Sequence, residues 1–139
     1  MTQRVLVLCT GNSCRLIMAE ALFNHLGQQE YVAVSAGSHP TGYVHPLSLA
    51  TLKRHGIESE NLHSKSWDVF AGQKFDLVIT VCDAAAAESC PVFLGAAQKL
   101  HWGIPDPAKT KGSESDIQAT FDDAFMMLKS RIADYLNHA

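Results

Sequence analysis

The sequence contains little charge and no long apolar stretch, which excludes several classes of protein. Lysine, arginine, aspartate and glutamate make up 18% of the 139 residues, and the formal net charge is -3. This balance gives no electrostatic basis for binding nucleic acid or an anionic membrane. No apolar stretch approaches the roughly 18 residues of a membrane-spanning helix, and no signal-peptide pattern follows Arg4. We therefore expect a cytoplasmic protein without membrane or nucleic-acid partners.

The four cysteines, Cys9, Cys14, Cys82 and Cys90, lack the spacing of a metal site. No pair forms Cys-x2-Cys and no histidine lies nearby at a ligand spacing, so we predict no bound metal. A small secreted protein would use such cysteines as a disulfide framework. A chain of this length is too short for two ordinary domains but can bury one sizeable core. Because such a core does not need disulfides for stability, thiol chemistry in a cytosolic protein is the better interpretation of the cysteines.

Short apolar runs alternate with segments of helical periodicity, which predicts an α/β protein. We expect strands over residues 4–8, 31–35, 75–81 and 99–102, and helices over 13–27, 46–55 and from 115 onward. Gly27 and Gly56 are expected to end the first two helices. This alternation favours a single domain over residues 1–139, a three-layer α/β/α arrangement with a four-stranded parallel sheet. Ligands of such sheets bind at the carboxyl ends of the strands. We therefore expect Cys9, Cys82 and Asp106, which all follow predicted strands, to converge on one edge.

The most informative segment is Cys-Thr-Gly-Asn-Ser-Cys-Arg, residues 9–15, directly after the first predicted strand. The backbone N–H groups of such a loop and the N-terminus of the next helix bind a tetrahedral oxyanion and favour a thiolate. The arginine adds a planar fork that matches two oxygens. We predict Cys9 as a nucleophile and an oxyanion site formed by Thr10, Gly11, Asn12, Ser13, Cys14 and Arg15. The Cys14 side chain is expected to pack towards the protein body.

The dipeptide Asp106-Pro107 is by itself typical of a turn. On the same edge of the sheet as Cys9, however, the aspartate becomes a candidate general acid that protonates a leaving oxygen.

Three segments together resemble the low-molecular-weight protein tyrosine phosphatase superfamily: residues 9–15, Ser35-Ala-Gly37 and Asp106-Pro107. The similarity covers essentially the whole chain and implies the fold of these phosphatases. Within the superfamily, the segment from Cys82 to Pro91, followed by His101-Trp-Gly103, is similar to the arsenate reductases. The resemblance therefore implies arsenate as the substrate, with phosphate and sulfate as competing anions.

The resemblance also implies a thiol relay that detoxifies arsenic. Cys9 attacks the arsenic of arsenate held by Arg15 and the loop, while Asp106 helps an oxygen to leave. Cys82 then attacks the adduct and releases arsenite, and Cys90 attacks Cys82, leaving a Cys82–Cys90 disulfide. No bound cofactor is expected, only an external thiol reductant. Two resolving cysteines in one chain favour thioredoxin over glutaredoxin with glutathione, and nothing demands more than a monomer.

The spacing of the two resolving cysteines requires a conformational change. In a regular helix the Cα atoms of Cys82 and Cys90 would lie ~12 Å apart. A disulfide needs them within roughly 7 Å. We therefore expect residues 82–90 to rearrange between redox states.

Two residues depart from the pattern of the resembled superfamily. Leu16 stands where a serine or threonine hydroxyl normally hydrogen-bonds the nucleophile, which predicts a less activated Cys9 and slower turnover. Relatives of one branch bind potassium near the positions of Asn12, Glu20 and Ser35. A further acidic ligand belongs where this chain has Lys65, so we predict no potassium site.

Two other functions remain open. A phosphatase would hydrolyse phosphomonoesters through a Cys9 phosphoenzyme. It would not need Cys82 and Cys90, and it usually has an aromatic residue where Ala108 follows Asp-Pro. An oxyanion-binding module with decayed catalysis is the third interpretation, supported only by Leu16.

Overall fold

All four predicted strands are present in the computed structural model, which describes residues 2–9, 14–58, 62–70, 72–81, 98–107 and 110–137. The described strands are β1 (Gln3–Cys9), β2 (Tyr31–Gly37), β3 (Leu77–Thr80) and β4 (Gln98–His101). The described helices are α1 (Arg15–Gly27), α2 (Pro46–Arg54) and α3 (Glu114–Asn137), with a 3-10 helix at Trp67–Phe70 that the sequence did not predict. No helix of the described ranges is long and apolar enough to span a membrane.

The strands form one parallel sheet in the order β2-β1-β3-β4, which confirms the predicted four-stranded α/β fold. Strand β1 is internal, and its segment Val5–Leu8 is completely buried. The chain passes from β1 to β2 on one side and later to β3 on the other, so the strand order reverses at β1. In open parallel sheets this reversal creates a crevice at the carboxyl ends of the strands. Cys9, the last residue of β1, lies at that crevice.

Alternate residues of β1 face two separate apolar clusters, because successive side chains of a strand point to opposite faces. Val5 and Val7 pack in the larger cluster with residues of α1, α2 and α3. Leu6 and Leu8 pack in a smaller cluster with Trp67 and other residues of the second face. The three described helices therefore cover one face of the sheet, and the 3-10 helix covers part of the other. Residues 82–97 lie outside the described part of the chain.

Two glycines lie at helix ends, and different structural reasons require glycine at each position. Gly56 follows α2 with a φ of +72°, and its N–H donates to the carbonyl of Lys53 at 3.1 Å, which is the expected glycine cap. Gly27, predicted to end α1 in the same way, is itself the last helical residue, and the positive φ belongs to Gln28. A Cβ atom on Gly27 would lie 2.8 Å from the Cβ atom of Tyr31. Close approach to β2 therefore explains this glycine.

Candidate active site

Main-chain hydrogen bonds anchor both ends of the predicted oxyanion loop. The carbonyl of Cys9 accepts a hydrogen bond from the N–H of Ser38 at 3.1 Å, and the Cys9 side chain is buried. At the other end, the carbonyl of Cys14 accepts from the N–H of Met18 at 3.1 Å in the first turn of α1. The Cys14 side chain lies in the apolar core, as expected. Neither cysteine forms a disulfide.

Arg15 links the start of α1 to the segment after β4. Its Nη1 atom donates to the carbonyl of Ile104 at 2.9 Å, and its Nη2 atom lies 3.7 Å from Oδ2 of Asp106. A guanidinium has five N–H donors, so one bond to a carbonyl still permits a bidentate contact with an oxyanion. The structure therefore brings Arg15 and Asp106 together, at an edge of the sheet that also contains Cys9.

Asp106 lies beside the guanidinium group that the sequence predicts to bind the anion. The two side chains remain only 15% and 22% exposed, so both are partly shielded from water. A general acid must lie within hydrogen-bond reach of the leaving oxygen, and Asp106 lies next to the residue that the sequence predicts to bind the anion. The predicted role of Asp106 is consistent with this position.

Leu16 belongs to the apolar core. Its side chain is 1% exposed and lies in the same cluster of buried side chains as Cys9. The leucine therefore fills volume in the core cluster that contains Cys9, where a smaller serine would leave a void. A packing role explains why leucine stands here instead of the serine or threonine that the resemblance implied.

A buried carboxylate lies on α1 beside strand β2. Ser35 of β2 donates its hydroxyl to Oε1 of Glu20 at 2.8 Å, and the Nζ atom of Lys65 lies 3.7 Å from the same oxygen. Lys65 also donates to the carbonyl of His63 at 3.0 Å. The ammonium group therefore compensates the Glu20 charge directly, at the position where the resemblance implied an acidic ligand in potassium-binding relatives. Among the described residues, no group of three or more histidine, cysteine, aspartate or glutamate side chains could hold a metal ion.

Substitution of Lys65 by methionine is expected to destabilise the protein by about 1–3 kcal/mol, because it leaves a buried carboxylate without its counter-charge. Urea unfolding at pH 7 measures this loss. The double variant Lys65→Met/Glu20→Gln should recover much of the stability, because it removes the charge as well. The exposed Lys129 on α3 provides a control, and Lys129→Met should change the unfolding free energy little. Equal losses for the two single variants would contradict the assignment.

Several predicted site residues lie outside the described ranges. They are Thr10, Gly11, Asn12, Ser13, Cys82 and Cys90. Their predicted roles stay predictions.

Residue-level reasoning missed the Ile104 carbonyl, which is the hydrogen-bond partner of Arg15. Every residue has such a carbonyl, so no side-chain pattern could have indicated it. His45 accepts a hydrogen bond at Nδ1 from the N–H of Leu47 at 3.1 Å and so caps α2. His101 lies at the end of β4, where its Nδ1 atom is 2.7 Å from the hydroxyl of Thr80.

Comparison with known proteins places these features in one family. The sequence profile of the low molecular weight phosphotyrosine protein phosphatase family matches residues 4–138. An arsenate reductase of Halalkalibacterium halodurans is 39% identical over 114 residues, which cover 82% of this chain and 81% of the relative. A solved arsenate reductase in its phosphate binding state is 25% identical with a TM-score of 0.78, covering 99% of this chain and 98% of that one.

A second solved structure, the thioredoxin-dependent arsenate reductase of Corynebacterium glutamicum, is 27% identical with a TM-score of 0.66. The similarity covers 95% of this chain and 62% of that one. The family match spans nearly the whole chain, and the similarity to arsenate reductases agrees with the segments that suggested them. The chain therefore belongs to the low molecular weight phosphotyrosine protein phosphatase family.

Proposed function

We propose that this protein reduces arsenate to arsenite. One observation carries the proposal furthest. The N–H of Val81 donates to the carbonyl of Leu8 at 3.0 Å, so the residue that precedes Cys82 in the sequence lies beside the strand that ends in Cys9. A second thiol one residue further along the chain offers the covalent intermediate a route to a disulfide. The similarity to arsenate reductases supports the same conclusion.

In the first step the Cys9 thiolate attacks the arsenic atom of arsenate. Arg15 and the amides of the loop hold the anion, and Asp106 gives a proton to the oxygen that leaves as water. The product is an adduct in which the Cys9 sulfur is bonded to pentavalent arsenic. Because arsenic is still pentavalent at this stage, it has not yet been reduced by the thiols.

In the second step the Cys82 thiolate attacks the sulfur of Cys9. The electron pair of the sulfur–arsenic bond goes to arsenic, which leaves as trivalent arsenite, and a Cys9–Cys82 disulfide forms. The Cys90 thiolate then attacks the sulfur of Cys82 and restores the Cys9 thiolate. Two electrons have then left the protein, and a Cys82–Cys90 disulfide awaits an external thiol.

Thiol counting with arsenate tests the relay. The reduced protein has four thiols and should retain two after a single turnover with arsenate, with one equivalent of arsenite released. Cys90→Ser should lose the same number of thiols but stop after one turnover as a Cys9–Cys82 disulfide. Cys82→Ser should release no arsenite. Turnover of an aryl phosphate without thiol loss would instead identify a phosphatase, and activity with neither substrate would identify a binding module.

We also propose thioredoxin as the reductant, because a completed disulfide within one chain suits a dithiol protein and one solved relative is thioredoxin-dependent. To test this choice, the oxidised protein is given arsenate and one of two reducing systems. The first contains thioredoxin, its reductase and NADPH, and the second contains glutaredoxin and glutathione. Sustained arsenite release only with the second system would contradict it. Residues 1–139 are proposed to act as one cytoplasmic domain and as a monomer.

A further inference from the structure

Strand β2 forms one edge of the sheet. Strand β1 pairs with it on the inner side, and among the described residues no strand of the sheet follows on the outer side. At the carboxyl end this outer side is covered, because the N–H of Gly37 donates to the carbonyl of Lys65 at 2.9 Å. The outward N–H and C=O groups of an edge strand can otherwise pair with a strand of another molecule.

The residues of β2 provide none of the usual protection against such pairing. The strand reads Tyr-Val-Ala-Val-Ser-Ala-Gly, with no charged side chain and no proline. Its β-branched and aromatic residues favour strand pairing, and Val32 is 48% exposed. Strand β4, at the opposite end of the strand order, differs because it carries the exposed Lys99. A charge on an edge strand disfavours pairing with a second molecule.

A side chain of α1 occupies the middle of the β2 edge. The Nδ2 atom of Asn24 donates to the carbonyl of Ala33 at 3.0 Å, and the N–H of Ala33 donates to Oδ1 of Asn24 at 2.8 Å. Two residues that face each other in an antiparallel sheet exchange N–H and C=O bonds in the same way. The amide group of Asn24 therefore stands where an antiparallel partner strand would bond to β2.

We propose that Asn24 keeps the β2 edge closed to a second copy of this chain. Ala33 is 2% exposed, so its polar groups need new partners when the amide is removed. A second copy supplies them if its own β2 runs antiparallel, because Ala33 of each copy then faces the other across a twofold axis. Since β2 carries no charge, this arrangement brings no like charges together within the strand pair. The inference concerns assembly alone and does not depend on the proposed function.

Sedimentation velocity at increasing protein concentration, with excess reductant, tests the proposal. Wild-type protein should stay monomeric, whereas Asn24→Ala should show a mass that rises towards that of a dimer. Alanine favours helix, so the substitution does not weaken α1 itself. His25→Ala is the matched control, because it shortens the next residue of the same helix, which is also exposed, and it should remain monomeric. A monomeric Asn24→Ala, or equal association of both variants, would overturn the inference.

Hydrogen exchange of the Ala33 amide reports on the edge itself. In wild-type protein this amide should exchange slowly at every concentration. In dilute Asn24→Ala it should exchange roughly five- to tenfold faster, the effect of losing one hydrogen bond. The protection should return as the concentration rises and the copies pair. Association without renewed protection of Ala33 would overturn the assignment to β2, because unfolded or non-specific aggregates do not protect this amide selectively.

Two further variants separate edge pairing from loss of stability. Asn24→Ala/Val32→Lys places a charge on the edge strand of each copy and should restore the monomer. Asn24→Ser has a single hydroxyl that cannot bond both groups of Ala33, so it should associate as the alanine variant does. The serine variant decides the question if Asn24→Ala does not fold. Continued association of the lysine variant, or a monomeric serine variant, would contradict the proposal.

Discussion

Replacement of Arg15 by lysine is expected to lower kcat/KM for arsenate by roughly 100- to 1,000-fold, the effect of losing one or two hydrogen bonds to a charged group. Lysine keeps the positive charge but presents a point donor instead of a planar fork. Its three N–H donors diverge from one nitrogen, so they match the Ile104 carbonyl and two oxygens of the anion less well than the planar fork does. Steady-state kinetics with arsenate, together with inhibition by phosphate, measure both consequences.

Arg131 is the matched control, because it lies exposed on α3. Arg131→Lys should leave kcat/KM and phosphate inhibition unchanged. If Arg15→Lys behaved in the same way, the fork geometry of Arg15 would have no part in binding the anion. A loss of activity with unchanged phosphate inhibition would contradict ground-state binding of the anion by this fork.

Leu16→Ser is expected to destabilise the protein by about 3–5 kcal/mol, because it removes a buried leucine from the core and places a hydroxyl there. The same hydroxyl should hydrogen-bond the Cys9 thiolate. We therefore expect turnover by the folded protein to rise roughly tenfold, the effect of one charge-assisted bond. Urea unfolding measures the first effect, and kinetics at low temperature, where the variant remains folded, measure the second.

Leu16→Ala separates the two effects, because it creates a similar void without a hydroxyl. It should lose comparable stability and gain no activity. The rate of Cys9 alkylation as a function of pH gives an independent reading of thiolate formation. Equal turnover and equal alkylation profiles in the serine and alanine variants would show that no hydrogen bond to Cys9 is restored.

The difference between Gly56 and Gly27 shows where local reasoning succeeds and where it stops. Both follow an apolar helical pattern, and both were predicted to end a helix. The prediction holds for Gly56, since its backbone takes the left-handed conformation that a cap requires. At Gly27 the cause is the neighbouring Tyr31 on β2, whose Cβ atom would lie 2.8 Å from any added Cβ atom. A helix pattern contains no information about the distance to the next strand.

Leu16 illustrates the same boundary within the candidate site. Its identity, compared with the serine or threonine implied by the family resemblance, indicates a missing hydroxyl and predicts a weaker nucleophile. Its burial in the cluster that contains Cys9 shows that the leucine also supplies core volume. A substitution that supplies the hydroxyl is therefore expected to raise activity and to lower stability. Only the packing of the side chain reveals the second.

The sequence by itself determined the positions of the candidate residues along the chain: the predicted oxyanion loop follows β1, Cys82 follows β3 and Asp106 follows β4. Such features depend on residue type and on near neighbours, so periodicity and spacing report them. The tertiary structure alone decided that Arg15 bonds to the Ile104 carbonyl, 89 positions away, and that Lys65 compensates Glu20. The Ile104 contact uses a group that every residue has, and both contacts depend on which strands become neighbours in the sheet. No local pattern in the chain encodes that choice.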